Sequence, residues 1–424
     1  MSETKLLPPH YRRNFSAFLV DYVCFGVGFL SFLNPSSVLP VFVRQLTDSA
    51  PVIGLVSTVF NGCWLLPQLT AARLINDKPR KKPYMLAGLS GRIAFWVIAL
   101  ALWARLDRHP TDMLILFFVC LGVFAASDGA CSVAWFDILA RAIPLKQRGR
   151  LIGIGQIISG LLGIGAGTLV GLILGRYPFP NNYALLFALT GVMLVPSVIA
   201  LVSIREPPSE ETDPKANERL KGNWLKLLVT DHAFLHLMIC RILVGMIGMA
   251  VPFYVVYAAD VLRLPQSTVG GFVVAQTVGG VVASVVIGLV NERWGLQHVI
   301  RIGAAAAITG PLFALAVHLT GAARLVQAYP FVYVMLGVTN STWMMGFFNY
   351  LLEIAPEGMR PAYIGLGNTI MGILTLAPIA GGWLLEVTSY TTLFGVTAAI
   401  VAVGFLSTLG LKPLRQAAPG ENQP

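Results

Sequence analysis

WFDILARAIPLKQRGRLIGIG, residues 135–155, recurs in altered form as FFNYLLEIAPEGMRPAYIGLG, residues 347–367. Trp135, Asp137, Pro144, Arg148, Gly153, Gly155, Gln156 and Gly160 align without a gap on Phe347, Asn349, Pro356, Arg360, Gly365, Gly367, Asn368 and Gly372, an offset of 212 residues in a chain of 424. A second register, offset by 217 residues, places Gly28, Pro35, Gly54 and Gly62 on Gly245, Pro252, Gly271 and Gly279. The chain is a tandem duplication. In a chain this apolar, a duplication implies two similar membrane bundles with a seam between them.

Apolar residues make up 56% of the chain and charged residues only 12%, about half the usual globular share. Segments long enough to cross about 30 Å of hydrocarbon recur at 15–42, 52–73, 84–106, 112–139, 151–174, 181–203, 233–258, 267–290, 299–320, 328–352, 363–385 and 391–411. The expected fold is therefore an all-α polytopic membrane protein, with twelve transmembrane helices in two pseudo-symmetric six-helix bundles. The bundles are expected at residues 1–204 and 231–415, joined by a cytoplasmic linker at 205–230 and followed by a disordered polar tail at 416–424. The linker contains REPPSEETDPKANERLKGNW, the longest polar stretch of the chain, rich in the Pro and charge that keep a segment from packing.

Of the 30 Lys and Arg, 22 fall in one set of loops and tails and six in the other. The positive-inside rule then puts both termini in the cytoplasm, and the expected location is the cell's inner (plasma) membrane. The net charge of +10 is spread over short loops, where anionic membrane lipid is the natural partner and nucleic acid is not. The first span follows a short basic tail without a cleavage site and reads as a retained helix. Cys24, Cys63, Cys120, Cys131 and Cys240 all lie in apolar spans without paired spacing, so they read as small core residues. No phosphate-binding loop, clustered histidines or nucleophile elbow occurs and the loops are short, so neither a cofactor, a bound metal nor an enzyme is expected. A monomer is expected.

The loop after the eighth span carries Gly288, Glu292, Arg293 and Gly295, followed by Gln297 and His298. Its counterpart in the first half keeps Asp77, Lys78, Lys81 and Lys82 but has Arg73 and Arg80 where the glycines fall. This pattern resembles the loop signature G-x-x-x-D/E-R/K-x-G-x-R/K of the major facilitator superfamily of secondary transporters, over almost the whole chain. Such a loop is a tight turn with an acid placed to meet a helix end. The resemblance also implies that charges after the fourth and tenth helices form a cytoplasmic latch. Its candidates are Asp77, Asp137, Arg141, Arg148, Glu292, Arg293, Glu353 and Arg360, with acid and base exchanged between Arg141 and Glu353.

Asp21, Arg92, Asp128 and Arg241 lie well inside their spans, where a charge costs at least about 2.5 kcal/mol. Each needs a partner or a wet cavity. The resemblance implies that the first, fourth, seventh and tenth helices line the cavity. Asp128 shares a helix face with Cys131 and Trp135, and is the first candidate for proton coupling, with Asp21 second. A permanent ion pair of either acid with Arg92 is the structural alternative. Arg241 has three possible roles: binding an anionic substrate group, neutralising Asp128, or pairing within its own half. Cavity candidates are Asn34, Asn61, Trp135, Arg241, Tyr254, Tyr257, Asn340, Trp343 and Phe347. Their mixture of rings and amides suits a small amphipathic or sugar-like molecule. Gly163, Gly167 and Gly171 partly match the fifth-helix glycine row of exporting family members, which favours export. A proton-coupled importer of a sugar or organic anion is the alternative reading, and a polytopic membrane enzyme or lipid scramblase the one from another class.

Overall fold

The structure, a computed structural model, describes residues 9–75, 78–208, 231–356 and 359–413. Within these residues it is helical without strands. Asp77, most of the linker and the tail from 416 lie outside the described residues. In the first half the helices are α1 (Tyr11–Gly28, resumed as Val38–Arg44), α2 (Ala50–Ile75), α3 (Lys82–Trp103), α4 (Pro110–Ala142), α5 (Leu145–Arg176) and α6 (Asn181–Ser203). In the second half they are α7 (His232–Asp260), α8 (Thr268–Trp294), α9 (Leu296–Thr320), α10 (Phe331–Ile354), α11 (Arg360–Met371, resumed as Ala377–Val387) and α12 (Tyr390–Thr408). Eleven of the helices are long and apolar enough to cross a membrane, and the interrupted α1 makes the twelfth.

These residues form helices because hydrocarbon supplies no hydrogen-bond partner, so the backbone must satisfy itself within each segment. Large apolar side chains accordingly point outward, Leu66 at 76% exposure and Val285 at 65% among them, as lipid contact requires. The interior of the first half holds Phe29, Phe60, Phe95 and Phe124, whose rings approach to between 4.5 and 5.8 Å where they contact Phe29 or Phe124 most closely.

Several helices are broken where sequence predicts continuity. The span expected at 15–42 stops at Gly28 and resumes at Val38. Pro35 has no N–H and disfavours helix at the residue before it. The Asn34 side chain replaces the lost bonds: Nδ2 donates to Leu30 O at 3.0 Å, while Oδ1 accepts from Ser36 N at 2.9 Å and Ser37 Oγ at 3.2 Å. In α7, Met246–Met249 tightens to a 3₁₀ turn ahead of Pro252. In α10, Trp343–Phe348 widens to a π-helical turn, a local insertion that often accompanies a site.

Gly295 shows what the loop signature does. It has φ of +83° and alone separates α8 from α9, a conformation that an L side chain rarely adopts. In the first half, where Arg80 stands at the matching place, no such residue is found among the described residues: α2 ends at Ile75, α3 begins at Lys82, and Arg80 keeps a negative φ.

By contacts the chain forms two compact units. The first comprises Met1–Asp213 together with Pro252–Val274 and Pro378–Glu386. The second comprises Pro214–Val251, Ala275–Ala377 and Val387–Pro424. Within the first unit α5 crosses α8 closely: a Cβ on Gly270 would stand 2.3 Å from Gly167 O and from Gly171 N. Only glycine permits that approach.

Candidate functional site

Inside the first unit the membrane-embedded charges form a network. Asp21 on α1 is 6% exposed and Arg92, in the 3₁₀ turn Leu89–Ile93 of α3, is 8% exposed. Arg92 Nη2 donates to Asp21 Oδ1 at 3.3 Å. Ser197, next to Pro196 in α6, bridges the pair, donating to Asp21 Oδ1 and accepting from Arg92 Nη1. Trp135 Nε1 on α4 donates to Asp21 Oδ2 at 2.8 Å, and its ring meets Phe18 edge-on at 5.1 Å. Four helices converge on one carboxylate. A buried pair with its spare lone pairs satisfied is held firmly, since loss of one partner leaves a charge uncompensated.

Asp128 is a different kind of acid. It sits on α4 between the Asp21 network and α2, half-buried, and accepts from Trp64 Nε1 at 3.1 Å. Among the described residues it has no ion pair. The two candidate carboxylates are thus separated by environment: one is locked by Arg92, Ser197 and Trp135, the other carries a single indole hydrogen bond.

In the second unit the embedded charge is Arg241 on α7, 6% exposed. Its guanidinium carbon lies 5.2 Å from the centroid of the Trp343 ring, an interaction worth about 0.5 to 2 kcal/mol. Its Nε and Nη1 are buried and without a hydrogen-bond partner among the described residues. Trp343 is held against α7, for a Cβ on Gly245 would stand 3.1 Å from the indole. The ring of Phe347 is 5.3 Å away and belongs to the packed core of this unit.

The charges expected at the latch divide. Asp137 binds Arg141 through Oδ2 at 2.6 Å and Lys81 Nζ through Oδ1 at 2.9 Å. Arg141 also reaches Glu206 at 2.9 Å and Pro207 O at 2.7 Å. Glu206 accepts in turn from the backbone N–H groups of Lys81 at 2.8 Å and Lys82 at 3.0 Å, capping the first turn of α3 as an anion at a helix N-terminus. Arg148 donates to the carbonyls of Ile143 at 2.9 Å and Ala140 at 2.5 Å, tying the α4–α5 turn. Glu292, Arg293 and Glu353 are exposed at helix ends. Asp77 and the Arg360 side chain are outside the described residues. Sequence reasoning missed Glu206, whose one signal was its place between the end of α6 and Pro207.

Within the first unit, the chain after α1 is tied to the ends of α7 and α11 that belong to that same unit. Arg44 Nε donates to Asp260 at 2.8 Å and its Nη1 binds Asp48, while Ser49 donates to Glu386 at 3.3 Å. A Cβ on Gly382 would stand 2.5 Å from Ala50 O. Of the remaining cavity candidates, Asn34 holds the α1 break, Tyr254 and Tyr257 are fully buried on α7, and Asn61 is exposed and bonded to Ser57 O at 2.8 Å. Asn340 is exposed one turn before Trp343.

Comparison with curated proteins finds no match. Among solved structures the chain resembles a bacterial homologue of the iron transporter ferroportin, captured inward-facing, at 15% identity and a TM-score of 0.69, covering 94% of this chain and 98% of that one. It also resembles the nucleoside transporter NupG at 12% identity and TM-score 0.64 (95% and 99% covered). A third likeness is to a POT family transporter in complex with 5-aminolevulinic acid, at 13% and 0.66 (94% of each chain). At these identities the likeness speaks to the fold alone. A family model for the Major Facilitator Superfamily matches residues 22–376. Duplicated halves, twelve apolar helices, the Gly295 turn and this match together place the chain in the major facilitator superfamily, as a multi-pass membrane transporter and not an enzyme.

Proposed function

We propose that the chain is a proton-driven exporter of a small organic solute, working by alternating access, with both termini in the cytoplasm of a cell whose plasma membrane it spans. The observation that carries the proton reading is Asp128, an acid embedded in α4 whose hydrogen bond among the described residues is from Trp64. Moving one proton per cycle requires a carboxyl group free to change its charge, and a group locked to an arginine is not free. Asp21 is so locked, which favours Asp128 as the carrier and assigns Asp21, Arg92, Ser197 and Trp135 to holding α1, α3, α4 and α6 together.

Alternating access needs each face to open and close. The ties from Arg44 to Asp260 and from Ser49 to Glu386 suit an outer gate in its closed state, and Asp137, Arg141, Arg148 and Glu353 are proposed to bias the inner gate. Export rests on the glycine row of α5, which crosses α8 at Gly167 and Gly171. The test is reconstitution in proteoliposomes after ligands are found by thermal stabilisation of the solubilised protein. An inwardly directed proton gradient, cytoplasmic side defined by labelling, is expected to drive solute the other way, and a protonophore to abolish it. Solute moving with the protons would make the protein an importer, and solute movement indifferent to protonophore would remove proton coupling.

A further inference from the structure

We propose that Arg241 and Trp343 form an anion-binding subsite in the second unit, which takes the carboxylate or phosphate group of an organic-anion ligand. That this ligand is the transported solute rests on the transport reading above; that the subsite binds an oxyanion does not.

Arg241 is 6% exposed, yet neither its Nε nor its Nη1 has a partner among the described residues. Arginine cannot escape burial by losing its proton. The nearest acid in sequence, Asp231, caps the start of α7 through Ala233 N and Phe234 N and receives the Tyr363 hydroxyl. It lies ten residues back along the chain, about 15 Å down a helix, and Glu292 and Glu353 are exposed at helix ends. A buried cation with no paired acid among the described residues calls for an anion.

The geometry also says how an anion would meet it. The guanidinium carbon lies over the Trp343 ring, 5.2 Å from its centroid, and the N–H donors lie along the edge of the planar guanidinium. That edge is a fork matched to two oxygens of one carboxylate or phosphate. On α11 Gly367 approaches Nη1, where an added Cβ would stand 3.9 Å from that nitrogen, alongside Leu351 Cδ2 at 3.4 Å and Met238 Sδ at 3.7 Å. Trp343 opens the π-helical turn of α10, and Asn340, one turn earlier, adds an exposed amide. A ring beside an unpartnered guanidinium suits a small organic acid.

Binding to the purified, solubilised protein is the test, with benzoate, inorganic phosphate and the neutral benzamide as probes, read by thermal shift and tryptophan fluorescence. The parent is expected to respond to benzoate or phosphate and not to benzamide, the two anions deciding between a carboxylate and a phosphate ligand. Arg241→Met is expected to weaken the anion response by roughly tenfold or more, and Arg241→Lys to retain part of it, because a point charge lacks the fork. The ligand-free Arg241→Met protein is expected to melt at or above the parent temperature, since it no longer buries an unpaired charge. A parent that binds neither anion, an Arg241→Met protein that binds them as well as the parent, or one that melts markedly lower without ligand overturns the proposal. Asp128→Asn serves as the separating control: it is expected to bind the anions normally, so loss of coupled transport in that variant leaves the subsite intact.

Discussion

Asp21→Asn isolates what the buried network contributes. The change keeps the shape of the side chain and leaves Trp135 Nε1 an oxygen to donate to, but it removes the anion that Arg92 Nη2 contacts at 3.3 Å and that Ser197 bridges. Arg92 Nε already lacks a hydrogen-bond partner among the described residues, and Asp21 is the acid paired with Arg92 there. Breaking a buried pair from one side costs about 3–5 kcal/mol, whereas replacing both members with neutral residues of similar volume is often close to neutral. The double variant Asp21→Asn, Arg92→Met is therefore expected to be more stable than Asp21→Asn alone, with a coupling between the sites of about 2 kcal/mol or more. Unfolding by SDS titration in mixed micelles, followed by tryptophan fluorescence, reads both values. The reasoning is refuted if Asp21→Asn lies within about 0.5 kcal/mol of the parent, or if the double variant loses as much as the two singles added together.

Three further outcomes follow from other contacts. Gly270→Ala puts a methyl group 2.3 Å from Gly167 O; it is expected to destabilise by about 1–3 kcal/mol and to slow transport, with Gly271→Ala, which meets nothing within 4 Å, as the silent control. Glu206→Ala removes the cap from α3 and one partner of Arg141, which is expected to cost about 0.5–2 kcal/mol and to speed proteolysis in the linker; unchanged cleavage would leave Glu206 without an anchoring role. Arg44→Ala or Asp260→Ala breaks the 2.8 Å tie, and spin labels on the outer ends of α1 and α7 are expected to show a longer mean distance than in the parent. An unchanged distribution would reduce that pair to a surface contact.

The twelve helices were legible because hydrocarbon imposes one rule on every segment: the expected span 181–203 coincides with Asn181–Ser203, and 112–139 falls within Pro110–Ala142. The breaks were less so. Pro35 announces trouble in α1, but the threefold bonding of Asn34 that settles the interruption depends on where Ser36 and Ser37 turn. Pairing of Asp21 with Arg92 was one of two options in the sequence; choosing between Asp21 and Asp128 required Ser197 and Trp135, brought in from helices more than 100 residues along the chain. Gly295 was readable because its role is local, as was the loss of the tight turn at Arg80. Glu206 was hidden in a polar stretch, since nothing in its neighbours reveals that the start of α3 comes to rest against it. That Arg241 Nε and Nη1 lack a hydrogen-bond partner among the described residues is a property of their surroundings and has no signature in the residues beside them.

Transport is proposed to be coupled to protons through Asp128. Asp128→Asn keeps the acceptor that Trp64 Nε1 meets at 3.1 Å and removes the titration. In proteoliposomes with an imposed pH gradient, the variant is expected to lose gradient-driven accumulation while passive counterflow of the same solute continues. Uphill transport by Asp128→Asn at the rate of the parent would contradict the account.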